Sequence, residues 1–262
     1  MHAVTVVNTY LRLGLLNVMQ YRADFFMQLV SIAVTLGTAL LTIGVVFGQT
    51  DNVGGWTEPD LVALIGVQML VRGITSLVMR PSMERLMENI RMGTLDFMLT
   101  KPADSQLLAS VAQVNVAASA DVVGGGIVLG LALARLGSTI GLQEALLFVV
   151  MLLCGVVMVY AFLLATSTLA FWFVRLDNLL VIFNTMFNGA GGWPITIFPA
   201  WLKYSLTFMI PVAFAVTVPA QSLTGRLTWP YALGAIGLAI AFALGSRWFW
   251  RFGLRHYTGA SA

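Results

Sequence analysis

The chain has 262 residues, of which 59% are hydrophobic and 10% are charged, and its net charge is +3. A soluble domain carries about 25% charged residues. This composition therefore excludes a water-soluble globule and predicts an all-α integral membrane protein embedded in the lipid bilayer. The Lys and Arg residues alternate from loop to loop instead of clustering in one domain, which indicates membrane topology and argues against nucleic acid as a partner.

The predicted elements begin with a helix that lies on the membrane surface over residues 1–22. Val4, Val7 and Leu11 recur there at helical spacing, with Thr5 and Asn8 on the opposite side. Apolar runs of about 20 residues follow, which is the length that crosses about 30 Å of hydrocarbon. They predict one transmembrane domain, residues 1–262, with six spans at 25–48, 60–80, 107–134, 143–168, 179–198 and 229–250.

Residues 199–226, between the fifth and sixth spans, are apolar but divided by prolines. Pro199, Pro211 and Pro219 cut the segment into pieces of about ten residues, which are too short to cross the hydrocarbon. Proline also removes a backbone donor and clashes with the preceding helical turn. We therefore predict a re-entrant hairpin at the outer side, before the last span.

The distribution of positive charge predicts the orientation of the chain. Six spans and a hairpin that does not cross place both termini in the cytoplasm, together with the basic tail at Arg247, Arg251 and Arg255. Positive residues are retained on the cytoplasmic side of a membrane. The prediction is a multi-pass protein of the cell membrane.

Side chains that could catalyse a reaction are scarce. His2 and His256 lie at opposite ends of the chain, and Cys154 has no histidine within its span. This excludes a buried histidine-based metal site or triad. Neither Lys101 nor Lys203 follows a glycine, as the lysine of a phosphate-binding loop does. We expect no enzyme activity, no ATP binding and no cofactor in this chain.

The charged stretch 81–106 cannot lie in lipid, and it is predicted to form a cytoplasmic loop with a short amphipathic helix. Ser82 can cap this helix, and Gly93 can end it in a left-handed turn. An apolar stripe at helical spacing comprises Met83, Leu86, Met87 and Ile90, and the polar face comprises Glu84, Arg85, Glu88 and Arg91. The stripe needs a cover, either the lipid headgroups or a cytoplasmic protein, and spacing alone does not decide between them.

Four polar side chains fall within the predicted spans. Asp121 lies near the middle of the third span, and Arg72 lies in the inner half of the second. Because an ionisable group at mid-bilayer costs at least about 2.5–3.5 kcal/mol, we expect these two either to form an ion pair or to line a substrate path. Arg72 could also reach the headgroups. Asn184 and Asn188 are four residues apart and share a helix face, where they bond a neighbouring helix or contact substrate.

The third predicted span also contains a group of glycines. These are Gly124, Gly125, Gly126 and Gly130, and the last two have G-x-x-x-G spacing. Small residues of this kind let two helix backbones approach closely in a membrane. We expect another helix to pack against them.

Five stretches of the sequence resemble the permease subunit of type-2 ABC transporters. They are Y-R-A-D-F-F at 21–26, G-G-W at 54–56, G-T-L-D-F-M-L-T-K-P at 93–102, F-N-G-A-G-G-W-P at 187–194 and I-F-P-A-W-L-K-Y-S-L-T-F-M-I-P-V-A-F at 197–214. The likeness runs over nearly the whole chain, and the order of the stretches and their placement on loops make the set specific to this family. Within these transporters, the chain is most similar to the branch of small single-domain export permeases.

The resemblance implies an ATP-binding-cassette exporter made of two permeases, identical or related, and two cytoplasmic ATPase subunits that bind ATP and Mg. It implies that segment 82–102 couples to the ATPase through Glu84, Arg85, Leu86, Glu88, Ile90, Gly93, Leu95, Asp96 and Lys101. A second, smaller contact would involve Arg175 and Asp177. The alternative is an ATPase-independent channel or secondary transporter, which needs an ion-coupling carboxylate within the membrane, and Asp121 is the clear candidate.

Overall fold

The structure is a computed structural model that describes residues 22–136, 141–173, 177–209 and 211–257. Among these residues the regular secondary structure is helical, apart from an isolated bridge between Val53 and Trp56. In chain order the helices are α1 Arg22–Phe47, α2 Glu58–Arg91, α3 Asp96–Leu99, α4 Ser105–Ser110, α5 Ser119–Leu136, α6 Leu142–Thr168, α7 Asp177–Ala190, α8 Ala200–Tyr204, α9 Ala213–Leu223 and α10 Trp229–Leu254. The predicted surface helix at 1–22 lies outside the described residues, except for its last residue.

Five of these helices are long and apolar enough to cross a membrane, namely α1, α2, α5, α6 and α10. They correspond to five of the six predicted spans and support a multi-pass membrane protein. The predicted span at 179–198 differs, because α7 has only 14 residues and ends before Gly191. At 1.5 Å per residue α7 is about 21 Å long, which is shorter than the roughly 30 Å thickness of the hydrocarbon core. The structure does not confirm a count of six.

α2 is one continuous helix of 34 residues, where the sequence predicts a span followed by a separate cytoplasmic helix. Pro81 lies inside it, and proline leaves the carbonyl four residues earlier without its helical donor. That carbonyl belongs to Leu77, and it accepts a hydrogen bond from the Asn115 N–H at 2.8 Å. A π-helical turn, Thr75–Met79, ends two residues before the proline. The helix therefore continues because its missing bond is replaced from outside.

Ser82 is a buried residue within α2 and not the predicted helix cap. Its hydroxyl donates to the Gln113 carbonyl at 2.9 Å and accepts from the Gln113 N–H at 3.2 Å. These bonds hold the non-helical residues 111–115 against α2. The third apolar helix consequently runs over Val116–Leu136 and not over 107–134, so that Asp121 lies in the first turn of α5 and not at mid-span.

α2 and α5 pack closely because glycines stand where larger side chains would clash. A Cβ added at Gly66 would lie 2.8 Å from a backbone nitrogen of α5, and one at Gly125 would lie 2.7 Å from a backbone nitrogen of α2. The predicted G-x-x-x-G pair, Gly126 and Gly130, has no atom within 4 Å of either Cβ position. The expected close packing is right for Gly125, whereas no described helix of this chain packs against that pair.

The core is centred on α2, and α1 stands at its edge. Within the apolar stretch of each helix, 67% of the residues of α2 are buried, compared with 11% of those of α1. The two short helices α8 and α9 occupy the predicted re-entrant region, and neither is long enough to span. α9 packs tightly on α6, since a Cβ on Gly155 would lie 2.6 Å from the Cα of Ala215.

Candidate functional site

A cavity of about 600 Å³ lies between α1, α2 and α7, with one residue of α5 in its wall. Its lining residues recur every three or four positions, so each helix presents one face to it. The lining comprises Gln28, Ser31, Ile32, Thr35, Ala39, Thr42 and Ile43 of α1; Ile65, Gln68, Arg72, Ser76 and Arg80 of α2; Asp121 of α5; and Asn184, Asn188, Gly189, Gly192 and Trp193 in and after α7. Most of these side chains are polar, which is unusual for the interior of so apolar a chain.

Arg72 and Asp121 form an ion pair in the wall of this cavity, which confirms one of the two alternatives predicted for them. The Asp121 side chain is only 4% exposed, and that of Arg72 is 22% exposed. The second carboxylate oxygen accepts a hydrogen bond from Gln28 Nε2 at 2.8 Å. Both oxygens of the buried carboxylate are therefore matched, and Arg72 bonds to Asp121 instead of extending to the headgroups.

Gln68 connects α2 to the end of α7, and the sequence did not point to it. Its Nε2 donates to the carbonyls of Phe187 and Asn188, each at 3.1 Å. The Phe187 carbonyl also accepts from the Gly191 N–H at 3.0 Å, so the amide adds a second bond there and supplies a donor to the Asn188 carbonyl in the last turn of the helix. Gly191 directly follows α7, and a Cβ at this position would lie 3.0 Å from Gln68 Nε2. The same Cβ would lie 2.5 Å from the Phe187 carbonyl oxygen, so a larger residue at position 191 would clash with the backbone.

Asn184 and Asn188 both line the cavity, as expected from their spacing. With its amide turned toward Arg80, the Asn184 oxygen accepts from Arg80 Nη1 at 2.9 Å and from Nε at 3.1 Å. Arg80 also donates to Glu84 at 2.8 Å, and the two side chains are 42% and 49% exposed. Arg80 is thus a cavity residue that sequence reasoning missed, because it lies at the end of a predicted span where arginine is common.

The apolar stripe at the end of α2 packs inside the chain itself. Met83 and Leu86 are completely buried and Met87 nearly so, while Ile90 packs against the same core from a partly exposed position. The expectation that Leu86 docks on another protein or on lipid is therefore wrong. On the polar face of the same helix, Glu84 pairs with Arg80, and Arg85 Nη1 pairs with Glu88 at 2.7 Å.

Gly93 ends α2 as the sequence predicts. Its φ is +69°, and the Gly93 N–H donates to Ile90 O at 3.2 Å while the Thr94 N–H donates to Asn89 O at 2.9 Å. This pair of bonds is a Schellman motif, which requires the left-handed conformation that glycine adopts without strain. Beyond the turn, Leu95 is buried.

The turn also presents apolar side chains to the surroundings. Phe97 is 76% exposed, Met92 60% and Leu99 38%. Sequence reasoning missed them because they fall after the helical stripe. Of the other predicted coupling residues, Asp96 is the first residue of α3, Lys101 is exposed, Asp177 is the first residue of α7, and Arg175 lies outside the described residues.

The segment after the turn is fixed to the end of α10. Asp104 accepts a hydrogen bond from the Leu107 N–H, capping α4, and another from Arg247 Nη2, both at 3.1 Å. Burial opposes ionisation of Asp104, but these bonds outweigh it and hold the pKa of the carboxyl below its usual range. Burial also raises the pKa of Tyr257, and the neighbouring Asp96 carboxylate raises it further. The end of α10 is thus in contact with the residues that follow Gly93.

A family model for the ABC-2 family transporter proteins matches residues 33–261. The chain belongs to this family. Membership confirms the resemblance to type-2 ABC transporters and implies that the chain is the permease component of such a transporter. Comparison with curated proteins and comparison with solved structures each gave no match.

In this ABC-2 family chain, a second buried ion pair joins the loop before α2 to the loop before α10, and the sequence did not reveal it. Asp60, 4% exposed, pairs with Arg226, and the same guanidinium donates to the Gly55 carbonyl. Arg226 also lies 5.2 Å from the ring centre of Trp56, which is 1% exposed. Asp60 accepts from the Thr57 N–H at 2.9 Å. The loop before α2 is thereby fastened to the loop before α10.

Proposed function

We propose that this chain is the permease subunit of an ABC exporter that moves a substrate across the cell membrane with energy from a separate ATPase subunit. The observation that carries the proposal is the continuity of α2. The helix lines the polar cavity with Gln68, Arg72 and Arg80 and then extends without a break to the Gly93 turn. A force applied at that turn is therefore transmitted along one rigid element to the cavity wall.

The ATPase-binding surface in this proposal is the turn after α2. Met92, Phe97 and Leu99 are exposed there, and exposed apolar side chains next to charged ones are typical of a protein-binding surface. The charged residues Glu84, Arg85 and Lys101 lie before and after them in the same segment of the chain. Within segment 82–102, the residues proposed to contact the ATPase are therefore these exposed ones and not the buried Leu86, while Gly93 determines the shape of the turn.

The proposed topology has six crossings, with α7 as a short one and with both termini in the cytoplasm. The loop before α2 contacts both ends of the region that contains α8 and α9. Thr196 donates to the Gly54 carbonyl at 3.4 Å, and Arg226 bonds to Gly55. A segment whose two ends meet the same loop enters and leaves on one side, which supports the re-entrant hairpin.

The complete transporter in this proposal holds two permeases, identical or related, and two ATPase subunits, which bind ATP and Mg. The low burial of α1 leaves a long apolar surface beside the cavity for a second permease. The alternative, an ion-coupled secondary transporter, needs a carboxylate that exchanges protons or ions with the cavity. Asp121 fits that role poorly, because it is 4% exposed and both of its oxygens are bonded.

The proposal is tested by purifying the chain in mild detergent with the ATPase that accompanies it. Burying one large apolar side chain contributes roughly 1.5–3 kcal/mol, and 1.4 kcal/mol is a factor of ten in affinity. We therefore expect Met92→Glu with Phe97→Glu to reduce recovery of the ATPase at least about tenfold and to abolish transport-linked hydrolysis. The exposed outer-loop variant Thr50→Glu is the control and should change neither.

The buried stripe gives a second comparison. Leu86→Glu places a charge in the core, so this variant should lose monodispersity in detergent, whereas Met92→Glu with Phe97→Glu should remain monodisperse. Normal ATPase recovery and normal hydrolysis in the well-folded Met92/Phe97 variant would show that this turn is not the coupling surface. Failure of the unchanged chain to bring down any ATPase would contradict the exporter assignment itself.

A further inference from the structure

The size and the polar lining of the cavity indicate which class of molecule it can hold. A cavity of about 600 Å³ lies within the range of small-molecule sites, about 300–1,000 Å³. Polar side chains in a membrane bundle are costly unless they face water, one another or a polar ligand. The hydroxyls and amides that point into this space therefore indicate a ligand that forms hydrogen bonds.

The two arginines of the cavity differ in how firmly they are held. Arg72 is fixed by Asp121, a partner that is 4% exposed and is also bonded to Gln28. Arg80 pairs with Glu84, which does not line the cavity and is 49% exposed. Exposed ion pairs of this kind are worth only about 0–1 kcal/mol. Arg80 can therefore exchange its carboxylate partner for an incoming anion, whereas Arg72 cannot.

The balance of charge among the described lining residues also favours an anion at Arg80. Arg72 and Asp121 cancel each other, which leaves Arg80 as the uncancelled charge among the lining residues. Asn184 lies at hydrogen-bond distance from the Arg80 guanidinium and can turn its NH₂ group toward an acceptor. A planar guanidinium beside an amide is well suited to bind a carboxylate, phosphate or sulfonate.

We propose that the cavity binds a small organic anion, with its acidic group at Arg80 and Asn184. The remainder of the molecule lies along the uncharged polar side chains Thr35, Gln68 and Asn188 and ends near Trp193. This inference rests on the transport function proposed above, because it names the class of substrate that the cavity would accept. Arg72 and Asp121 hold the wall in place and do not contact the acidic group.

The proposal is tested by measuring the charge selectivity of the cavity with two thiol reagents of similar size. In the full-length Cys154→Ala chain, Ser76→Cys places a thiol one helical turn before Arg80 on the cavity face. Its rates of reaction with the anionic sulfonatoethyl and the cationic trimethylammonioethyl methanethiosulfonate are measured in lipid nanodiscs. The ratio of the two rates cancels any change in the reactivity of the thiol itself.

We expect the anionic reagent to be favoured at the Ser76→Cys thiol by about tenfold relative to a Thr50→Cys thiol on the exposed outer loop, as for one ion pair in a partly hydrated site. Adding Arg80→Gln should remove this preference. Adding Arg85→Gln should leave it within about twofold, because Arg85 belongs to an exposed pair on the same helix but does not line the cavity.

A second variant keeps the test decisive if Arg80→Gln is not monodisperse. Asn184→Asp has the same shape and places a negative charge beside Arg80 that cancels it, so it should also remove the preference for the anionic reagent. The proposal is wrong if the Ser76→Cys thiol shows no anion preference, or if neither Arg80→Gln nor Asn184→Asp changes it. ATPase recovery from the same preparations tests the exporter assignment separately, since the charge ratio does not depend on an ATPase.

Discussion

Asp121 brings a carboxylate into the first turn of a membrane helix, where its charge must be matched. Three contributions match it: the guanidinium of Arg72, the amide of Gln28 and the positive end of the α5 dipole. Gly73 makes the arrangement possible, because a Cβ there would lie 3.0 Å from that of Asp121. A buried pair of this kind stabilises the fold little by its presence, but the loss of either partner leaves a buried charge.

Removing both partners of the pair should therefore cost less than the sum of the two single removals. We expect Arg72→Ala and Asp121→Ala each to lower the free energy of unfolding by about 3–5 kcal/mol, and the double variant to fall short of the sum by about 0.5–3 kcal/mol. The exposed Arg135→Ala is the control and should change it by no more than about 0.5 kcal/mol. Thermal unfolding in detergent measures all four, and strict additivity would contradict the structural role.

At the scale of single residues, the sequence revealed the charges but not their amide neighbours. Arg72 and Asp121 could be predicted to pair because an unmatched charge in lipid is so costly. Gln68 bonds to backbone carbonyls on a helix that is remote in the chain, and no residue pattern encodes that contact. Arg80 lies where arginine is common at the end of a predicted span, so its place in the cavity could be recognised only from the fold.

Among the elements, α2 departs most from its prediction. Periodicity correctly showed a helix with Met83 and Leu86 on one face, but it could not show that this face packs in the chain's own core. The continuation of α2 through Pro81 depends on one hydrogen bond from Asn115 to Leu77, which is a tertiary contact. The Gly93 turn was predictable because its requirement is local, namely a residue that adopts a positive φ.

Asp104 gives α4 and the end of α10 a dependence on pH. Its pKa in the folded protein is lowered, so its stabilising effect is present above the unfolded value of about 3.9 and disappears as the pH falls through the folded value. Asp104→Asn should therefore melt at a lower temperature than the unchanged chain at pH 7, and the difference should shrink as the pH falls below about 3.9. The exposed Asp51→Asn is the control. A difference in melting temperature that does not vary with pH would contradict this account.

For the whole molecule, hydrophobic length predicted the presence of five membrane-length helices but not all of their bounds, and it failed where helices are short. α1, α2, α5, α6 and α10 each contain an apolar run of sufficient length. The predicted span at 179–198 included residues beyond Ala190 that form a turn around Gly191. Hydropathy cannot detect this break in the helix, because the residues on both sides of it are apolar. The proline spacing that suggested a hairpin at 199–226 is matched by two short helices in that region, because proline acts on the local backbone whatever surrounds it.

The orientation of the bundle can be tested by single cysteines in the Cys154→Ala background, labelled with an impermeant thiol reagent on intact cells. Thr224 lies two residues before Arg226, which bonds to the loop before α2, so Thr224→Cys should be labelled on intact cells, as the exposed Thr50→Cys should be. Lys101→Cys, beyond the Gly93 turn, and Ser261→Cys, after the basic tail, should be labelled only once the cells are permeabilised. If α8 and α9 together crossed the membrane, α10 would run in the opposite direction and Ser261→Cys would be labelled from outside. That outcome would also separate the end of α10 from residues 92–104, although Arg247 bonds to Asp104. Labelling of Ser261→Cys on intact cells would therefore contradict both the hairpin and the position of the turn proposed to bind the ATPase.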